Sequence, residues 1–348
     1  MIKIALDAMG GDHVPHHPVH GGVEAARASK GRYEVVLVGK KDAIEAEIEK
    51  HFHTQNLPIS VVQASEVVGM DDQPSVALKQ KTDSSIAVAT RLHADNKVQA
   101  MVSAGNTGAV MASALFGLKR VKGIRRPAIG SLLPTQEGGT TLLLDVGANV
   151  DNRPIDLVQF GIMGSIYVSR LFGVDNPRVG LLNVGHEKGK GNDLVNKAYD
   201  LFEQCRCNFV GNVEGGDIVK GECNVVVCNG FVGNIVLKAA ESLHGLFKYN
   251  MRRLVKKYIF SQIGAVLMKP TFEGIRKVFD YQEYGGAPLL GVQGCCIIAH
   301  GKSTPRAIKN AILAAYKFVT EDVNLHIKEQ IALMPVSDST EKIEPVSL

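Results

Sequence analysis

Residues 98–109, Val98-Gln-Ala-Met-Val-Ser103-Ala-Gly-Asn-Thr-Gly-Ala109, decide the fold. The run 98–103 is short and apolar, which is typical of a buried strand, and an apolar helical pattern follows over 108–120. The glycines and the asparagine between the two predict a tight turn from strand to helix. Because similar units recur along the chain, this stretch indicates an α/β fold.

Strand and helix patterns alternate on both sides of this stretch. Most of the strand patterns are apolar throughout, as a parallel sheet covered on both faces requires. We therefore predict a doubly wound, mostly parallel sheet in an α/β/α sandwich. The predicted strands are 2–6, 34–38, 59–62, 98–103, 127–133, 140–146, 178–184, 224–228 and 293–299, and the clearest predicted helices are 82–95, 108–120, 154–172 and 303–319.

The composition is that of a globular protein. The chain has 348 residues, of which 45% are hydrophobic and 21% are charged, so it is able to bury a sizeable core. From Pro335 onward the sequence is polar and contains two prolines. We expect one catalytic unit over 1–335 and a flexible tail over 336–348.

Charge, cysteines and apolar runs disfavour several functional classes. The net charge of +4 is too small to indicate a nucleic-acid partner, and no nucleic-acid-binding motif is present. The six cysteines form no C-x-x-C pair, which disfavours a structural zinc site. We find neither a signal-peptide pattern nor an apolar run of bilayer length, so we expect a cytoplasmic protein with reduced thiols.

Residues 241–280 break the alternation and are strongly basic. They contain eight Lys or Arg and three acidic residues, a net charge of +5, so the rest of the chain is close to neutral. Apolar residues recur at helical spacing from Leu243 to Leu267, either to pack in the core or to project. We predict a projecting helical hairpin, with dimer packing near 243–255 and reversible contact with an anionic membrane near 258–279. The same basic flanks are suited to steer an acidic carrier protein.

Five predicted strands end in glycine together with asparagine or aspartate. The five turns are 7–12, 104–108, 145–149, 183–187 and 229–234. Ligands bind at the carboxyl ends of the strands in open α/β sheets. We therefore expect these turns to form one rim, at which the backbone approaches a ligand closely.

The clearest of these turns runs from Ser103 to Ala109. Glycines allow successive N–H groups to point to one place, and the following helix adds the positive end of its dipole. We interpret the turn as a phosphate cradle, against the alternative of a plain strand-to-helix turn. The segment 301–303 ends like a P-loop, but the required first glycine would fall at Cys296, and no G-x-G-x-x-G fingerprint for NAD is present.

Histidines and lysines near these turns are further candidates. His186 and His300 close predicted strands, either as site residues or as hydrogen-bonding loop residues. Lys188 and Lys238 follow two of the turns and would offset the charge of a bound anion. Four histidines interrupted by prolines are interpreted as a solvated loop and helix start and not as a metal site: His13, His16, His17 and His20.

Together these motifs resemble the PlsX family, the fatty acyl-[acyl carrier protein]:phosphate acyltransferases of bacterial phospholipid synthesis. The resemblance extends from residue 2 to about 320. The matching pieces, in order, are Asp7-Ala-Met-Gly-Gly-Asp12, Ser103-Ala-Gly-Asn-Thr-Gly-Ala109, Leu144-Asp-Val-Gly-Ala-Asn149, Gln159-Phe-Gly, Gly180-Leu-Leu-Asn-Val-Gly185 with Glu187, Gly230-Phe-Val-Gly-Asn-Ile235 with Leu237-Lys238, Tyr284-Gly-Gly-Ala-Pro-Leu-Leu-Gly291 and Ala299-His-Gly301.

The resemblance implies a fold like that of phosphotransacetylases and isocitrate-type dehydrogenases, in a dimer that attaches peripherally to the membrane. It implies that a long-chain fatty acyl group moves from acyl carrier protein to inorganic phosphate, which gives an acyl phosphate for phospholipid synthesis. A thioester is already activated and phosphate is already a nucleophile. The reaction therefore needs proximity and oxyanion donors, and we expect no covalent nucleophile, metal or cofactor.

The implied site has two sets of residues. The catalytic set, for orientation, oxyanion binding or charge, is Asn149, Asn183, Asn234, Lys188, Lys238 and His186. The substrate-binding set is Asp7, Gly10, Gly11, Ser103, Gly105, Asn106, Thr107, Gly108 and Gly233, in which Asp7 holds the loops while the 103–108 turn binds phosphate.

This chain departs from the family pattern at two positions, where the family usually has aspartate and this chain has Asn224 and Asn229. Asn229 lies on the predicted ligand edge, so a carboxylate there was either catalytic or only a loop acceptor. Asparagine keeps an acceptor oxygen but cannot take a proton, and we predict the loop role. Two alternatives stay open: a phosphotransacylase that uses coenzyme A, and a membrane-associated scaffold whose activity is impaired through Asn229.

Overall fold

The computed structural model describes residues 1–279 and 285–334, with side chains described outside 276–279. Its centre is an 11-stranded sheet with a hydrophobic core on each face, so the predicted α/β/α sandwich is confirmed. The strands are β1 (Ile2–Asp7), β2 (Tyr33–Gly39), β3 (Ile59–Gln63), β4 (Ala100–Ser103), β5 (Ala128–Pro134), β6 (Thr140–Leu144), β7 (Arg178–Leu182), β8 (Asn208–Val213), β9 (Val225–Val227), β10 (Ala287–Leu290) and β11 (Cys295–Ile298).

The helices lie between the strands, and polar side chains fix where several of them begin. Asn106, Asn192 and Asn229 each accept the N–H three residues further on, which satisfies a donor that the helix leaves free. The helices are α1 (His16–Ser29), α2 (Lys41–Ile48), α3 (Pro74–Gln80), α4 (Ser85–Ala94), α5 (Thr107–Gly117), α6 (Pro154–Phe172), α7 (Asp193–Phe202), α8 (Gly215–Lys220), α9 (Gly230–Lys257), α10 (Ile259–Leu267), α11 (Lys269–Phe279), α12 (Pro305–Thr320) and α13 (Val323–Ala332).

The sheet consists of two parallel halves that run in opposite directions. Its strand order is β3-β2-β1-β4-β11-β10-β5-β6-β9-β7-β8. The strands from β3 to β11 are mutually parallel, as are those from β6 to β8. Between the halves, β10 is antiparallel to both β11 and β5, and β5 is antiparallel to β6. These three reversals give the second half the opposite direction from the first.

Two strands are absent from the sequence prediction, and both lack a clear strand pattern. β8 carries two asparagines and a glycine among its six residues. β10 contains Pro288 and follows Gly285 and Gly286, whose φ angles of 78° and 84° require glycine. Proline and glycine are disfavoured inside strands, so local pattern favours a loop at this position. Pairing with β5 and β11 overrides that preference.

Helix α6 is the one described helix long and apolar enough to cross a bilayer. It packs instead against β6, β7 and β9, and 61% of its apolar window is buried inside the protein. It ends at Gly173, whose φ of 67° suits a left-handed helix cap. We therefore interpret α6 as a core helix. A buried core helix can be as long and as apolar as a membrane span, so length and composition alone do not separate the two.

The predicted helical excursion is present as α9, α10 and α11. Its apolar side chains are solvent-exposed in the single chain, in contrast to the buried helices that cover the sheet. The large exposed hydrophobic residues here include Leu243, Leu246, Phe247, Leu254, Tyr258, Ile259, Phe260, Ile263, Val266 and Leu267. The stripe is thus projecting and not packed in the core of this chain. Residue 280 and the predicted tail 336–348 lie outside the described residues.

Candidate active site

The five glycine-asparagine turns do not form one rim. The turns after β1 and β4 lie at one edge of the sheet, and those after β6, β7 and β9 lie at the other edge, because the two halves run in opposite directions. The prediction of a single rim is therefore wrong. Its premise of parallel strands fails at β10 and β5, which the sequence does not reveal. We call the turns after β1, β4 and β11 the Asp7 rim, and those after β6, β7 and β9 the Asp145 rim.

Asp7 is the buried centre of the Asp7 rim. Ser103 Oγ donates to Asp7 Oδ2 at 2.6 Å, and the Gly105 N–H donates to Ser103 Oγ at 3.0 Å. The Met9 N–H donates to Asp7 Oδ1 at 3.0 Å. Burial raises the pKa of Asp7, while the bonds from Ser103 and the neighbouring donors oppose that rise. Asp7 and Ser103 therefore fix the two turns to each other, which agrees with the loop-holding role predicted for Asp7.

Glycines let the turns of the Asp7 rim meet without side chains between them. A Cβ on Gly10 would lie 2.4 Å from Asp7 Oδ2 and 2.6 Å from the Gly105 nitrogen. Gly11 has a φ of 115°, and the next N–H, of Asp12, donates to the Gly301 carbonyl at 2.8 Å. The turn after β11 thus joins this rim. In the sequence this segment gave a rejected P-loop match, the candidate His300 and the motif Ala299-His-Gly301.

Asn106 has a structural role that differs from the predicted one. Its Oδ1 caps α5 by accepting the Ala109 N–H at 3.0 Å. Its Nδ2 donates to the carbonyls of Met70 and Asp72 at 2.8 and 3.0 Å. The amide donors predicted to bind phosphate are thus engaged by the loop before α3. We assign Asn106 to holding that loop over the cradle.

The first turn of α5 leaves N–H groups available for an anion. Thr107 is exposed and Gly108 is partly exposed, and the described residues offer their N–H groups no hydrogen-bond partner. Pro74 lies close enough to Gly108 that a Cβ there would be 2.6 Å from its ring. The start of α4 is nearby, since Ser85 hydrogen-bonds Asp7. Two helix starts therefore present positive dipole ends at this rim.

Gly105→Val is expected to abolish phosphate use, because even a Cβ at Gly105 would lie 3.2 Å from both Ile86 Cδ1 and Ser103 Oγ. Asn106→Ala is expected to lower the free energy of unfolding by about 1–2 kcal/mol and to raise the KM for phosphate, since both the cap and the loop contacts are lost. Steady-state kinetics with varied phosphate and urea unfolding measure the two effects.

The control for Asn106→Ala is Asn192→Ala, which removes the corresponding cap of α7. Equal effects of the two cap variants on the KM for phosphate would contradict the role assigned to Asn106.

The Asp145 rim is organised by a second buried carboxylate. Asp145 Oδ1 accepts N–H groups from Ile129, Gly147 and Ala148 at 3.0–3.2 Å. Its Oδ2 accepts the Asn149 N–H at 2.8 Å and the Asn149 Nδ2 at 3.0 Å. Burial raises the pKa of Asp145 and these donors oppose that rise. With every oxygen engaged, Asp145 shapes the turn and is not an available base.

Helix α9 begins in direct backbone contact with this turn. The Gly230 N–H donates to the Asn149 carbonyl at 2.8 Å. A Cβ on Gly233 would lie 1.8 Å from the Asp145 carbonyl oxygen, so only glycine fits there. The second amide hydrogen of Asn149 goes to the Pro127 carbonyl at 2.7 Å. Both amide hydrogens of Asn149 are thus donated to protein acceptors, so the side chain has no free donor for the predicted oxyanion role.

Asn234 is the predicted amide that remains available. Asn234 is exposed, and its amide has no hydrogen bond to the described residues. It lies beside Gly147, since a Cβ added to that glycine would be 3.6 Å from the Asn234 side chain. Gly147 has a φ of 134°, which keeps the turn open at this point. The structure therefore brings Asn149, Gly233 and Asn234 together, and the Asn234 side-chain amide has no hydrogen-bond partner among the described residues.

Asn229 caps α9 by accepting the Val232 N–H at 2.8 Å. This contact needs only an acceptor oxygen, which supports the loop role. Asn229→Asp is expected to change turnover by less than about tenfold. It should keep or slightly raise stability, by about 0.3–1 kcal/mol, because a carboxylate suits a helix start. Turnover and urea unfolding test this. A much larger gain in rate would instead make the parent an impaired enzyme.

The end of β7 carries side chains that close their own loop. Asn183 Nδ2 donates to the Lys190 carbonyl at 3.0 Å, and its Oδ1 accepts the Val184 N–H at 2.8 Å. His186 Nδ1 lies 3.2 Å from the Asn212 carbonyl oxygen, and its Nε2 lies 3.5 Å from the buried Asp217 carboxylate. Both residues therefore hold the turns after β7 and β8, and neither shows the free group predicted for catalysis.

The predicted lysines point to neighbouring acids. Lys188 pairs with Glu203 at 2.6 Å and with Asp200 at 3.2 Å. These hydrogen bonds raise the pKa of Lys188, the Glu203 contact most strongly. Lys238 pairs with Glu241 at 2.8 Å within α9. Both lysines are exposed surface pairs, and the role predicted for them in neutralising phosphate is not supported by these contacts.

The histidine run forms a cluster of rings at the start of α1. His16 Nδ1 contacts the buried Glu47 at 2.6 Å, and His17 Nδ1 lies 3.0 Å from the Ser303 carbonyl oxygen. Burial lowers the pKa of His17, so its neutral form is favoured. Within 1–279 and 285–334, no group of three or more His, Cys, Asp or Glu is arranged to hold a metal ion.

Sequence reasoning missed the loops that complete each rim. The loop before α3 joins the Asp7 rim, and the start of β5 with the loop before it joins the Asp145 rim through Ile129 and Pro127. The turn after β11, where His300 was a candidate, also joins the Asp7 rim. A signal for the loop before β5 was present, since 119–126 contains five Lys or Arg residues.

The fold is similar to that of phosphotransacetylases. A phosphotransacetylase from Streptococcus pyogenes matches with a TM-score of 0.62 at 17% identity, over 92% of this chain and 94% of that one. The EutD phosphotransacetylase from Staphylococcus aureus matches with a TM-score of 0.59 at 15% identity, over 91% of this chain and 94% of that one. At such identities the likeness shows the fold alone.

Closer relatives narrow the class to one family. Residues 2–326 match the family described as fatty acid synthesis protein. A phosphate acyltransferase from Heliobacterium modesticaldum is 48% identical over 99% of this chain and 100% of that protein. One from Dictyoglomus turgidum is 47% identical over 94% of this chain and 97% of that protein. The chain therefore belongs to this family, the PlsX family, and the resemblance seen in the sequence is confirmed.

Proposed function

We propose that this chain moves a long-chain acyl group from acyl carrier protein to inorganic phosphate and so forms an acyl phosphate. The coarser statement, an acyltransferase of fatty acid and phospholipid synthesis that uses phosphate, follows from the family and its relatives. The observation that carries the proposal is 48% identity over 99% of the chain to a phosphate acyltransferase. Acyl carrier protein as the donor is our own extension.

Phosphate is assigned to the Asp7 rim. The N–H groups of Thr107 and Gly108, which have no partner in the described part of the chain, lie at a helix start, where backbone donors and the dipole favour an anion. The buried Asp7 is turned inward onto Ser103, so it does not face the anion with a free carboxylate. Collecting phosphate beside the thioester is the proximity contribution to catalysis.

The thioester oxygen is assigned to the free amide of Asn234 at the Asp145 rim. The two rims lie at opposite edges of the sheet, but a sheet twists from strand to strand. This twist reduces the angle between the directions in which the two sets of strands point. Between β4 and β9 there are five steps in strand order, and a rotation of about 20–25° per step gives roughly 100–125°. Strands that run in opposite directions would then differ by only roughly 55–80°, and we propose on this ground that both rims face one side of the molecule.

No enzyme nucleophile is needed, and the buried thiols do not suggest one. Cys228 lies beside the Asp145 rim with its sulfur 3.5 Å from the Asp145 carbonyl. Burial raises the pKa of Cys228 far above that of a free thiol, and burial raises that of Cys296 to about 12. A thiolate at either position is therefore disfavoured near neutral pH. Direct attack by phosphate on the thioester is the simpler reaction.

The proposal is tested by mixing the purified protein with palmitoyl-loaded acyl carrier protein and phosphate. We expect release of the carrier thiol that depends on phosphate. Short acyl-coenzyme A is the matched donor, and turnover with it at a comparable kcat/KM would favour the coenzyme A-dependent alternative. Phosphate binding without turnover on either donor would favour the impaired scaffold.

We further propose a cytoplasmic homodimer that contacts the membrane reversibly through the excursion. The exposed apolar stripe on α9 to α11 supports a protein or membrane interface, since soluble monomers rarely expose large contiguous apolar patches to water. The basic residues beside the stripe favour an anionic lipid surface at α10, where Val266 and Leu267 are 74% and 77% exposed.

Val266→Glu with Leu267→Glu is expected to release the protein from vesicles of phosphatidylglycerol and phosphatidylcholine. The reason is that two charges replace the apolar contacts that would enter the lipid interface. Vesicle sedimentation and size-exclusion chromatography are the measurements. Phe52→Glu with Leu325→Glu changes two exposed apolar residues elsewhere and is the control. If the double variant of α10 keeps its vesicle affinity, or loses its dimer, the stripe belongs to the subunit interface.

A further inference from the structure

A second basic surface lies in the loop 118–127 between α5 and β5. Residues 119–126 contain five cations, Lys119, Arg120, Lys122, Arg125 and Arg126. From residue 96 to residue 136 the sequence contains no Asp or Glu. The loop is therefore a concentrated positive charge outside the excursion 241–280. No step of the proposed reaction uses it.

Part of this charge is free to act on a partner. Arg125 pairs with Asp156 at 3.1 Å, and Arg120 donates to the Arg125 carbonyl. Lys119 and Lys122 are exposed, and the described residues provide neither with an ion pair. Arg126 is partly exposed and also lacks such a pair within the described chain. Three cations of the loop thus have no ion pair with residues 1–279 or 285–334.

The loop is held rigidly, which suits a preformed docking surface. The buried side chain of Gln159 accepts the Arg125 N–H at 2.9 Å and donates to the Gly123 carbonyl at 2.8 Å. The Val121 N–H donates to the Gly291 carbonyl at 2.9 Å. Because these bonds fix the backbone, a partner that binds here does not have to order the loop.

This loop leads directly into the Asp145 rim. The Pro127 carbonyl accepts from Asn149 at 2.7 Å, and the Ile129 N–H donates to Asp145 at 3.0 Å. Phe116, at the end of α5 just before the loop, is 59% exposed. The surface thus combines cations with an aromatic side chain beside a rim of the proposed site. Interfaces that bind tightly often use such an anchor within a charged rim.

We propose that the loop 118–127 is the docking surface for an acidic protein that delivers the acyl thioester, with Lys119, Lys122 and Phe116 as its contact residues. This rests on the proposed function and assigns its donor to one surface. The excursion carries an exposed apolar stripe suited to lipid, whereas this loop carries uncompensated charge with a single aromatic residue. An acidic protein fits the second pattern, since opposite charges speed and orient association.

The test compares two charge reversals of equal size. Lys119→Glu with Lys122→Glu alters the loop, and Lys256→Glu with Lys257→Glu alters the excursion. We expect the loop variant to raise the KM for palmitoyl-loaded acyl carrier protein about tenfold at low salt, with kcat within about twofold. The excursion variant should keep that KM and instead lose affinity for phosphatidylglycerol vesicles. Lys119→Gln with Lys122→Gln gives a milder form if the reversal impairs folding.

Binding of unloaded acyl carrier protein, measured by fluorescence anisotropy, separates this surface from the donor proposal. If the parent binds the carrier and the loop variant does not, the surface is supported even where no thiol is released. An unchanged KM and affinity in a folded loop variant would overturn the assignment. So would an equal loss in both variants, or failure of the parent to bind the carrier.

Discussion

Gly233→Ala is expected to abolish turnover and to lower the free energy of unfolding by about 3 kcal/mol or more. The added Cβ would lie 1.8 Å from the Asp145 carbonyl oxygen and 2.9 Å from the sulfur of Cys228. The first of these atoms belongs to the backbone, so no side-chain rotation relieves the clash. Helix α9 must move away from the turn after β6, and Asn234 moves with it. Urea unfolding and phosphate-dependent thiol release measure the two losses.

Gly245→Ala is the matched control, because it makes the same change on the same helix. Within the single chain, a Cβ on Gly245 has no heavy atom within 4 Å, and size-exclusion chromatography checks that the variant keeps the oligomeric state of the parent. Alanine there is expected to stabilise α9 by up to about 1 kcal/mol, through its higher helix propensity, and to leave turnover unchanged. Similar effects of the two substitutions would show that the close approach at Gly233 is not a constraint of the fold.

The strand pattern of the sequence predicts most of the sheet, because buried parallel strands are apolar throughout. β1, β2, β3 and β6 begin within a residue of the predicted positions. What the pattern does not contain is direction. A strand reads the same whichever way its neighbours run, so the reversal at β10 and β5 becomes visible only through pairing across the sheet. That reversal divides the predicted rim in two.

The candidate site was predicted at the level of turns and less well at the level of side chains. A glycine turn after a strand predicts that the backbone approaches a ligand closely. At Gly10 and Gly233 the structure shows such an approach to neighbouring protein atoms, and approach to a ligand stays a prediction. It does not tell an asparagine that binds substrate from one that caps a helix, because both roles need the same amide. Asn106 and Asn183 satisfy their own loops, and only their packed partners reveal this.

The sequence likewise shows how many charged side chains lie near the predicted turns, but not which groups those side chains contact. Lys188 follows a turn in sequence, yet its side chain lies over the Tyr199 ring and reaches the acids of α7. The sequence cannot show this, since α7 packs against α6 and β8 only after folding. The loop 118–127 was overlooked for the opposite reason. Its cations precede β5, whereas we expected ligand sites in the turns that follow strands.

Asn234→Ala is expected to lower kcat about 100- to 1000-fold while leaving the folded state intact. Removal of one preorganised oxyanion donor has effects of roughly this size in other acyl-transfer sites. Because the Asn234 amide is exposed and makes no hydrogen bond to the described residues, its loss leaves no buried group unsatisfied. Stability should therefore stay within about 0.5 kcal/mol of the parent. Single-turnover thiol release and urea unfolding are the measurements.

Asn149→Ala distinguishes a chemical from a structural asparagine in the same rim. The Asn149 side chain donates to the Pro127 carbonyl at 2.7 Å and to Asp145 at 3.0 Å, and truncation leaves both acceptors short of a donor. We expect it to lower the free energy of unfolding by about 1–3 kcal/mol and to reduce activity only as far as the rim loosens. Asn234→Gln, which keeps the amide, should recover part of the rate. If Asn234→Ala instead unfolds the protein and keeps kcat per folded molecule, Asn234 holds the turn, and the oxyanion donor belongs to the Asp7 rim.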